Sequence, residues 1–462
     1  MLSIRKEEYM YNPDLPVFET KQNLNIKLAY GIEEVPKPFW KVIYFAFQIT
    51  LVDFTPFIWA GMFVSLAGLD SGTVLPLMIS ACFFCMGFST LIQTIIGNKL
   101  PIVQGPSASL TSAMGPVAAT YGLAATWGAV LVGGVIEALL GATKVMSKLR
   151  KLLTPTVIGT VVTAVGFVAA RLAIQWTFSV QQPKNLALAL VAFILALILK
   201  FKGKGIISQG FILVTVLIVG IGGGSLLGIY DWGAVVKAPW FALPKLFPLA
   251  ELQNGKLIEF VPAAIIGCFA GYIGSMFESV GDYAATCAAC DETYKVKHID
   301  KGIMAEGIGC AITSVFGGMP CTSYTQNIGI ISATGVCSRK VTQAAAILFF
   351  LYALCPKMAY MLSCIPKSVI GAVFLITAAT IMFSGIDTIT SDKPTLKNRI
   401  IAGTTLAVSV MLPYHCASTF AAWAKGLPSF VNMVITSTVF LAVIVGIFTH
   451  ILLNMVLKTK DD

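Results

Sequence analysis

From residue 42 onward the chain is a succession of apolar runs joined by short polar loops, and this leaves little room for a water-soluble core. Fourteen runs can be read, over residues 42–66, 74–96, 102–118, 127–142, 156–170, 186–199, 206–229, 260–283, 302–316, 322–333, 341–354, 369–386, 400–412 and 431–457. A helix that crosses a bilayer needs about 20 apolar residues, since its backbone polar groups must be satisfied within the segment. Several runs are shorter, and polar residues and glycines interrupt the third and the tenth. Charged residues make up only 12% of the chain, against about 25% in soluble domains. The reading is an all-α polytopic membrane protein of 14 transmembrane segments, in contact with the lipid bilayer. Residues 1–41 are polar and lack the apolar stretch of a cleavable signal peptide.

A net charge of +10 would suit a nucleic-acid partner, but the cations lie in short loops between apolar runs, so none is expected. With the N-terminus in the cytoplasm, 24 of the 32 Lys and Arg fall on the cytoplasmic side. That bias follows the positive-inside rule and predicts a cell-membrane protein with cytoplasmic tails at 1–41 and 458–462. The densest cluster is Lys144, Lys148, Arg150 and Lys151.

Two interrupted runs suggest two related halves. The third opens with Pro101-Ile-Val-Gln104-Gly105-Pro106-Ser107, the tenth with Pro320-Cys-Thr-Ser-Tyr324-Thr-Gln326-Asn327. Each is the third of seven. An odd number of spans per half reverses the second half's entry, which gives a 7+7 inverted repeat with broken third and tenth spans, and a binding site where the breaks meet. Gln326 to Thr334 packs two amides, a glycine and two hydroxyls into membrane depth, just after the Gly317-Gly318-Met319-Pro320 turn. Polar groups there are costly and usually line a site.

The ionisable residues inside runs are Asp53, Glu137, Glu278, Asp282, Glu306 and His450. Glu278 and Asp282, four apart, share one helix face. Two carboxylates buried side by side cannot both keep their charge cheaply, so one can exchange a proton, as proton coupling requires. The alternative for Asp282 is exposure to water at the span's end. Glu306, beside Ala305, Gly307 and Gly309, allows a close neighbouring backbone, and suits a ligand or a hydrogen-bond hub equally. Cys287-Ala-Ala-Cys290 lacks the second pair of a structural zinc site, and His298, His415 and His450 have no metal spacing. No metal and no cofactor is expected, and no nucleophile–base pair marks an enzyme. The segment 239–248, with Trp240, Phe241, Lys245 and Phe247, reads as an interfacial anchor.

These residues resemble the nucleobase–ascorbate transporters (xanthine/uracil permease type). Gln326-Asn327-Ile-Gly329-Ile-Ile-Ser-Ala-Thr334-Gly335 matches the family signature [Gln/Glu/Pro]-Asn-x-Gly-x4-Thr-[Arg/Lys/Gly]. Phe277-Glu278-Ser279-Val280-Gly281-Asp282-Tyr283, Glu306-Gly307-Ile-Gly309 and Leu100-Pro101-Ile-Val-Gln104-Gly105-Pro-Ser107 add three more stretches in family order. The resemblance implies a core domain (42–143 and 257–355), a gate domain (152–229 and 366–457) and a homodimer. It further implies import of a nucleobase by proton symport. By similarity Glu278 and Gln326 hold the base, Asn327 and Glu306 support the site, and Asp282 aids coupling. Gln104, Ser107 and Ala108 complete the substrate-binding set. Gln at position 326 points to xanthine or urate; Glu there would point to uracil and Pro to ascorbate.

The chemistry of the residues agrees with a neutral base. A carboxylate accepts from ring N–H groups, and a carboxamide donates one bond and accepts one. The spans hold no Lys/Arg cluster for a phosphorylated nucleotide. Two departures stand out. The first span carries Gln48-Ile49 where bacterial members usually carry Gln-His. Asp53, one turn on, takes the histidine's place, binds a cation such as sodium, or makes a structural hydrogen bond. Ala108 also stands where many members have a stacking aromatic, so the pocket is roomier or Tyr324 or Phe277 stacks instead. The alternatives to an oxidised purine carrier are a transporter of uracil or another small solute of the same fold, with sodium as the alternative coupling ion, and, less favoured, a channel.

Overall fold

The computed structural model describes residues 13–14, 28–145, 154–243, 255–392 and 394–457. Its helices start where the loops supply prolines or caps. Pro56, Pro155, Pro183, Pro262 and Pro356 occupy first turns, where the missing N–H costs nothing. Asp70, Ser107, Thr154, Thr395 and Ser437 cap others by accepting from backbone N–H groups.

Every apolar run becomes helix, but not always one helix. The first run breaks at Asp53 into α1 (Trp40–Val52) and α2 (Pro56–Leu66), where a single span was expected. The second is α3 (Ser71–Ile95). The third and fourth fill α4 (Ala108–Ala142), two helical stretches that meet at Gly122, whose backbone (φ 83°, ψ 173°) is not helical. The strand β1 (Gln104–Pro106) precedes it. Runs five to nine are α5 (Pro155–Thr177), α6 (Pro183–Lys202), α7 (Phe211–Leu226), α8 (Pro262–Ala289) and α9 (Val296–Phe316). The tenth divides into β2 (Cys321–Ser323) and α10 (Thr325–Thr334). The eleventh is α11 (Arg339–Ala353), bent by 80° into α12 (Pro356–Ser363). Runs twelve and thirteen are α13 (Lys367–Thr390) and α14 (Leu396–Ala417). The last run bends by 83° between α15 (Ser429–Thr436) and α16 (Thr438–Ile451).

Among the described residues, eight helices are long and apolar enough to cross a membrane, or ten with each bent pair counted as one span. This is fewer than fourteen for physical reasons. The third and fourth runs are counted together although α4 breaks at Gly122, α10 has 10 residues, and α9 carries Lys297, Asp300, Lys301 and Glu306.

Packing divides the helices into two groups. In one, α4 lies against α8 and α9, and α3 against α11 and α9; in the other, α13 lies against α5 and α6, and α5, α14 and α16 lie against one another, with α5 on α13 the most extensive pair. The α8 helix touches both, through α5 and α16. The α4–α9 contact is between backbones. A Cβ on Gly134 would lie 2.6 Å from the Ala311 nitrogen and 2.8 Å from the Gly307 oxygen. At the centre β1 and β2 pair antiparallel, with Gln104 opposite Ser323 and Pro106 opposite Cys321.

Residues 28–34 of the N-terminal tail cover the end of α10. The Ala29 nitrogen donates to the Gly335 oxygen at 2.8 Å, and Arg339 meets Glu33 at 2.6 Å. Of the expected anchor segment, Trp240 and Phe241 are exposed, with Lys357 4.8 Å above the Trp240 ring; Lys245 and Phe247 lie outside the described residues, as do Lys148, Arg150 and Lys151.

Candidate substrate and coupling site

The two short strands bring two helix starts together. Ser107 caps α4 and Tyr324 precedes α10, and the Ser107 nitrogen donates to Pro320 while the Tyr324 nitrogen donates to Val103. Free N–H groups at such starts favour electronegative ligand atoms. Gly105 is required here because the Tyr324 ring fills the space a Cβ would occupy.

Beside the strands, α8, α9 and β2 enclose a buried polar network centred on Glu306. Its carboxyl accepts from Ser279 at 2.7 and 2.8 Å, from Tyr283 at 2.9 Å, from Thr322 at 3.1 Å and from Ser275 at 3.3 Å. Gln93 of α3 donates to the Tyr283 hydroxyl at 2.9 Å. Glu306 is therefore a hydrogen-bond hub, the second of its two sequence readings. The small residues beside it do allow the close approach expected: a Cβ on Gly307 would meet the Gly134 oxygen at 2.6 Å.

The network continues from Ser279 to Ser323 at 3.0 Å, and from Ser323 to Asp282 at 2.7 Å. Thr325 donates to the other Asp282 oxygen at 2.9 Å. Asp282 is buried and doubly bonded, not open to water. Glu278, one turn earlier, is half-buried within the field of Asp282 and Glu306. Gln326 is half-buried in the first turn of α10. Neither has a hydrogen-bond partner among the described residues, so both have their full capacity to spend on a ligand.

The remaining candidates surround this centre. Asn327 donates to the Pro101 oxygen at 2.5 Å and ties α10 to the loop before β1. Its own oxygen is buried without a partner, and it shares a cleft with Gln48 and Ile49. Gln104 is held by its backbone, its nitrogen donating to Thr90 at 2.9 Å, while both side-chain polar atoms are buried and unpartnered. Ala108 opens α4 and is buried. Phe277 lines a narrow apolar cleft with Gly274, Val157, Val161, Val443 and Ile447, between α8, α5 and α16. Tyr324 is packed on Gly105, and its hydroxyl accepts from Thr55 at 3.3 Å. Asp53 lies at the α1–α2 break, fully buried, with neither carboxyl oxygen partnered. Cys287 faces the His298 ring at 3.4 Å, and all cysteines among the described residues are free.

The hydroxyls are what sequence reading missed. Ser275, Ser279 and Tyr283 recur every four residues on α8, one register from the Glu278–Asp282 pair, and that spacing was readable. Thr322, Ser323 and Thr325 give no such signal, because only the strand pairing turns them inward.

Comparison with known proteins places this geometry. The model of the xanthine/uracil-type Permease family matches residues 40–418. The chain is 28% identical over 456 residues to a putative purine permease of Clostridium perfringens, covering 95% of each chain. It is 27% identical to the uric acid permease PucK of Bacillus subtilis, over 85% of this chain and 90% of that one. It is 24% identical to the xanthine permease XanQ of Escherichia coli, over 93% and 94%. Among solved structures, the fold resembles the transmembrane domain of a cyanobacterial bicarbonate transporter, BicA (TM-score 0.57, 15% identity, 91% of this chain and 100% of that one). It also resembles the anion transporter SLC26A9 (TM-score 0.61, 14% identity, 88% and 65%). On the family match and the motifs gathered at the strand pair, the chain belongs to the nucleobase–ascorbate transporter family and is an integral membrane permease for nucleobases, not an enzyme.

Proposed function

We propose that the protein imports an oxidised purine, xanthine or urate, by proton symport. The observation that carries this reading is the free hydrogen-bonding capacity of Glu278 and Gln326, beside an Asp282 already committed to Ser323 and Thr325. A carboxylate that accepts two ring N–H groups and a carboxamide that donates one bond and accepts one complement the edge of an oxidised purine. The relatives named for purines, uric acid and xanthine support the same substrate class. In this reading the 7+7 inverted repeat sets a core of α1–α4 and α8–α11 against a gate of α5–α7 and α13–α16. The cleft at Phe277 lies between them, and the carrier works as a homodimer with both termini in the cytoplasm.

Asp53 favours a second reading of the coupling ion. A buried carboxyl with no partner, at a helix break, also suits sodium. The substrate test is uptake of labelled xanthine in competition with unlabelled urate, hypoxanthine, uracil and ascorbate. Urate should compete at concentrations where uracil and ascorbate do not. Stronger competition by uracil would overturn the purine assignment.

A further inference from the structure

The polar tail before α1 is built into the membrane domain. Tyr30 pairs in parallel with Val336, in the link between α10 and α11. The Ala29 and Tyr30 nitrogens donate to the Gly335 oxygen at 2.8 and 3.2 Å. The Cys337 nitrogen donates to the Tyr30 oxygen at 2.9 Å, and the Arg339 nitrogen to the Ile32 oxygen at 3.0 Å. The Ser338 hydroxyl donates to the Glu34 oxygen. Leu28 and Ile32 pack on a buried cluster of Ala289, Cys290, Ile331 and Cys337. The Tyr30 ring meets Phe45 of α1 edge-on at 6.2 Å.

Arg339 joins this strap to two helices. It is the first residue of α11, where a cation opposes the helix dipole, so its placement needs another cause. Its guanidinium supplies one. Nε and Nη2 donate to Glu33 at 2.9 and 2.6 Å, and Nη1 donates to the Thr94 oxygen, in the last turn of α3, at 3.0 Å. Carbonyls in a last turn lack intrahelical donors, and a guanidinium satisfies one. The ion pair itself adds little, since Glu33 is 67% exposed. The bond to Thr94 and the main-chain pairing carry the strap.

The α10 helix has to be held at both ends. Its 10 residues fall short of the about 12–15 at which an isolated helix is even marginally stable. The turn that carries Gln326 is set by the strand pair and by the bond from Asn327 to Pro101. The other end closes at Gly335, in the left-handed region at φ 67°, and the Gly335 oxygen is the atom that takes two N–H groups from the strap. We propose that residues 28–34 are a strap that fixes the far end of α10, and that Arg339 is a positioning residue that ties the strap to α3 and so aims Gln326. This rests on the reading of Gln326 as a substrate ligand.

The test uses the full-length protein and two variants. Ala29→Pro, at an exposed position, removes the 2.8 Å bond to Gly335, and Arg339→Ala removes the guanidinium. Cys337, fully buried in the cluster beneath the strap, reports on it directly. The rate at which a maleimide labels Cys337, read by mass spectrometry of its peptide, should rise about two- to tenfold in each variant, the factor for one lost hydrogen bond. Wild-type rates in both overturn the strap. In proteoliposomes both variants should raise KM for xanthine by a similar factor at near wild-type turnover. Arg339→Lys, which can reach one partner but not both, should fall between alanine and wild type. A strap that only stabilises the fold would lower protein level or turnover and leave KM unchanged, and that result overturns the positioning role. If the wild type takes up no xanthine, the substrate reading fails, and the Cys337 arm alone decides whether the strap holds α10.

Discussion

Replacing Glu306 by alanine tests the hub most directly. Four hydroxyls donate to its carboxyl, but they would not suffer equally. Ser279 and Thr322 are already 2.7 Å apart and can bond each other. Ser275 can turn to the carbonyl one turn back in α8. Tyr283 cannot escape: its hydroxyl sits at the end of a buried ring, with Gln93 donating from the other side. One stranded donor costs about 1–3 kcal/mol, and each weakened serine or threonine bond about 0.5–1.5 kcal/mol. With one stranded donor and three weakened bonds, the expected loss for Glu306→Ala is about 2.5–7.5 kcal/mol. Glu306→Gln should lose less, because it keeps one acceptor oxygen and its amide can donate to hydroxyls that turn. The measurement is thermal unfolding of the purified protein in detergent, followed by loss of the monodisperse peak in size exclusion. An alanine variant that melts with wild type, or below which the glutamine variant falls, would refute the hub.

Three further outcomes are expected. Glu278→Gln should reach the membrane in normal amount yet lose nearly all uptake, since it presents a donor where the base needs an acceptor, a mismatch of about 1–3 kcal/mol; normal uptake would remove Glu278 from the site. Gln326→Glu should change the order of competing bases more than the level of protein, and an unchanged order with transport intact would place Gln326 away from the substrate. Asp53→Asn should abolish accumulation driven by an imposed pH gradient while leaving substrate exchange. Wild-type uptake that follows a sodium gradient and survives a protonophore would instead make Asp53 a cation ligand.

The sequence legible from periodicity and punctuation was the membrane class, the position of nearly every helix and the two proline-led breaks. Those features depend on local composition: a proline or a capping hydroxyl marks a start, and an apolar run marks a span. The break at Asp53 was missed although Pro56 marks it, because residues 42–66 are apolar enough to read as one run. The turn at Gly122, whose positive φ parts the third run from the fourth, falls in the gap already read between them.

The site divides along the same line. Glu278, Asp282, Glu306 and Gln326 announced themselves because charge and amide are costly in lipid. Their roles did not, because a role depends on which hydroxyls face which carboxyl. For Asp282 the sequence left exposure to water as the alternative to burial beside Glu278; the turn from β2 into α10 buries it under Ser323 and Thr325. Tyr324 and Phe277 were interchangeable as stacking aromatics, yet the strand pair presses the Tyr324 ring onto Gly105 while Phe277 faces the cleft toward α5 and α16. Of the two, Phe277 is the one that lines the apolar cleft, and α8 carries both it and Glu278.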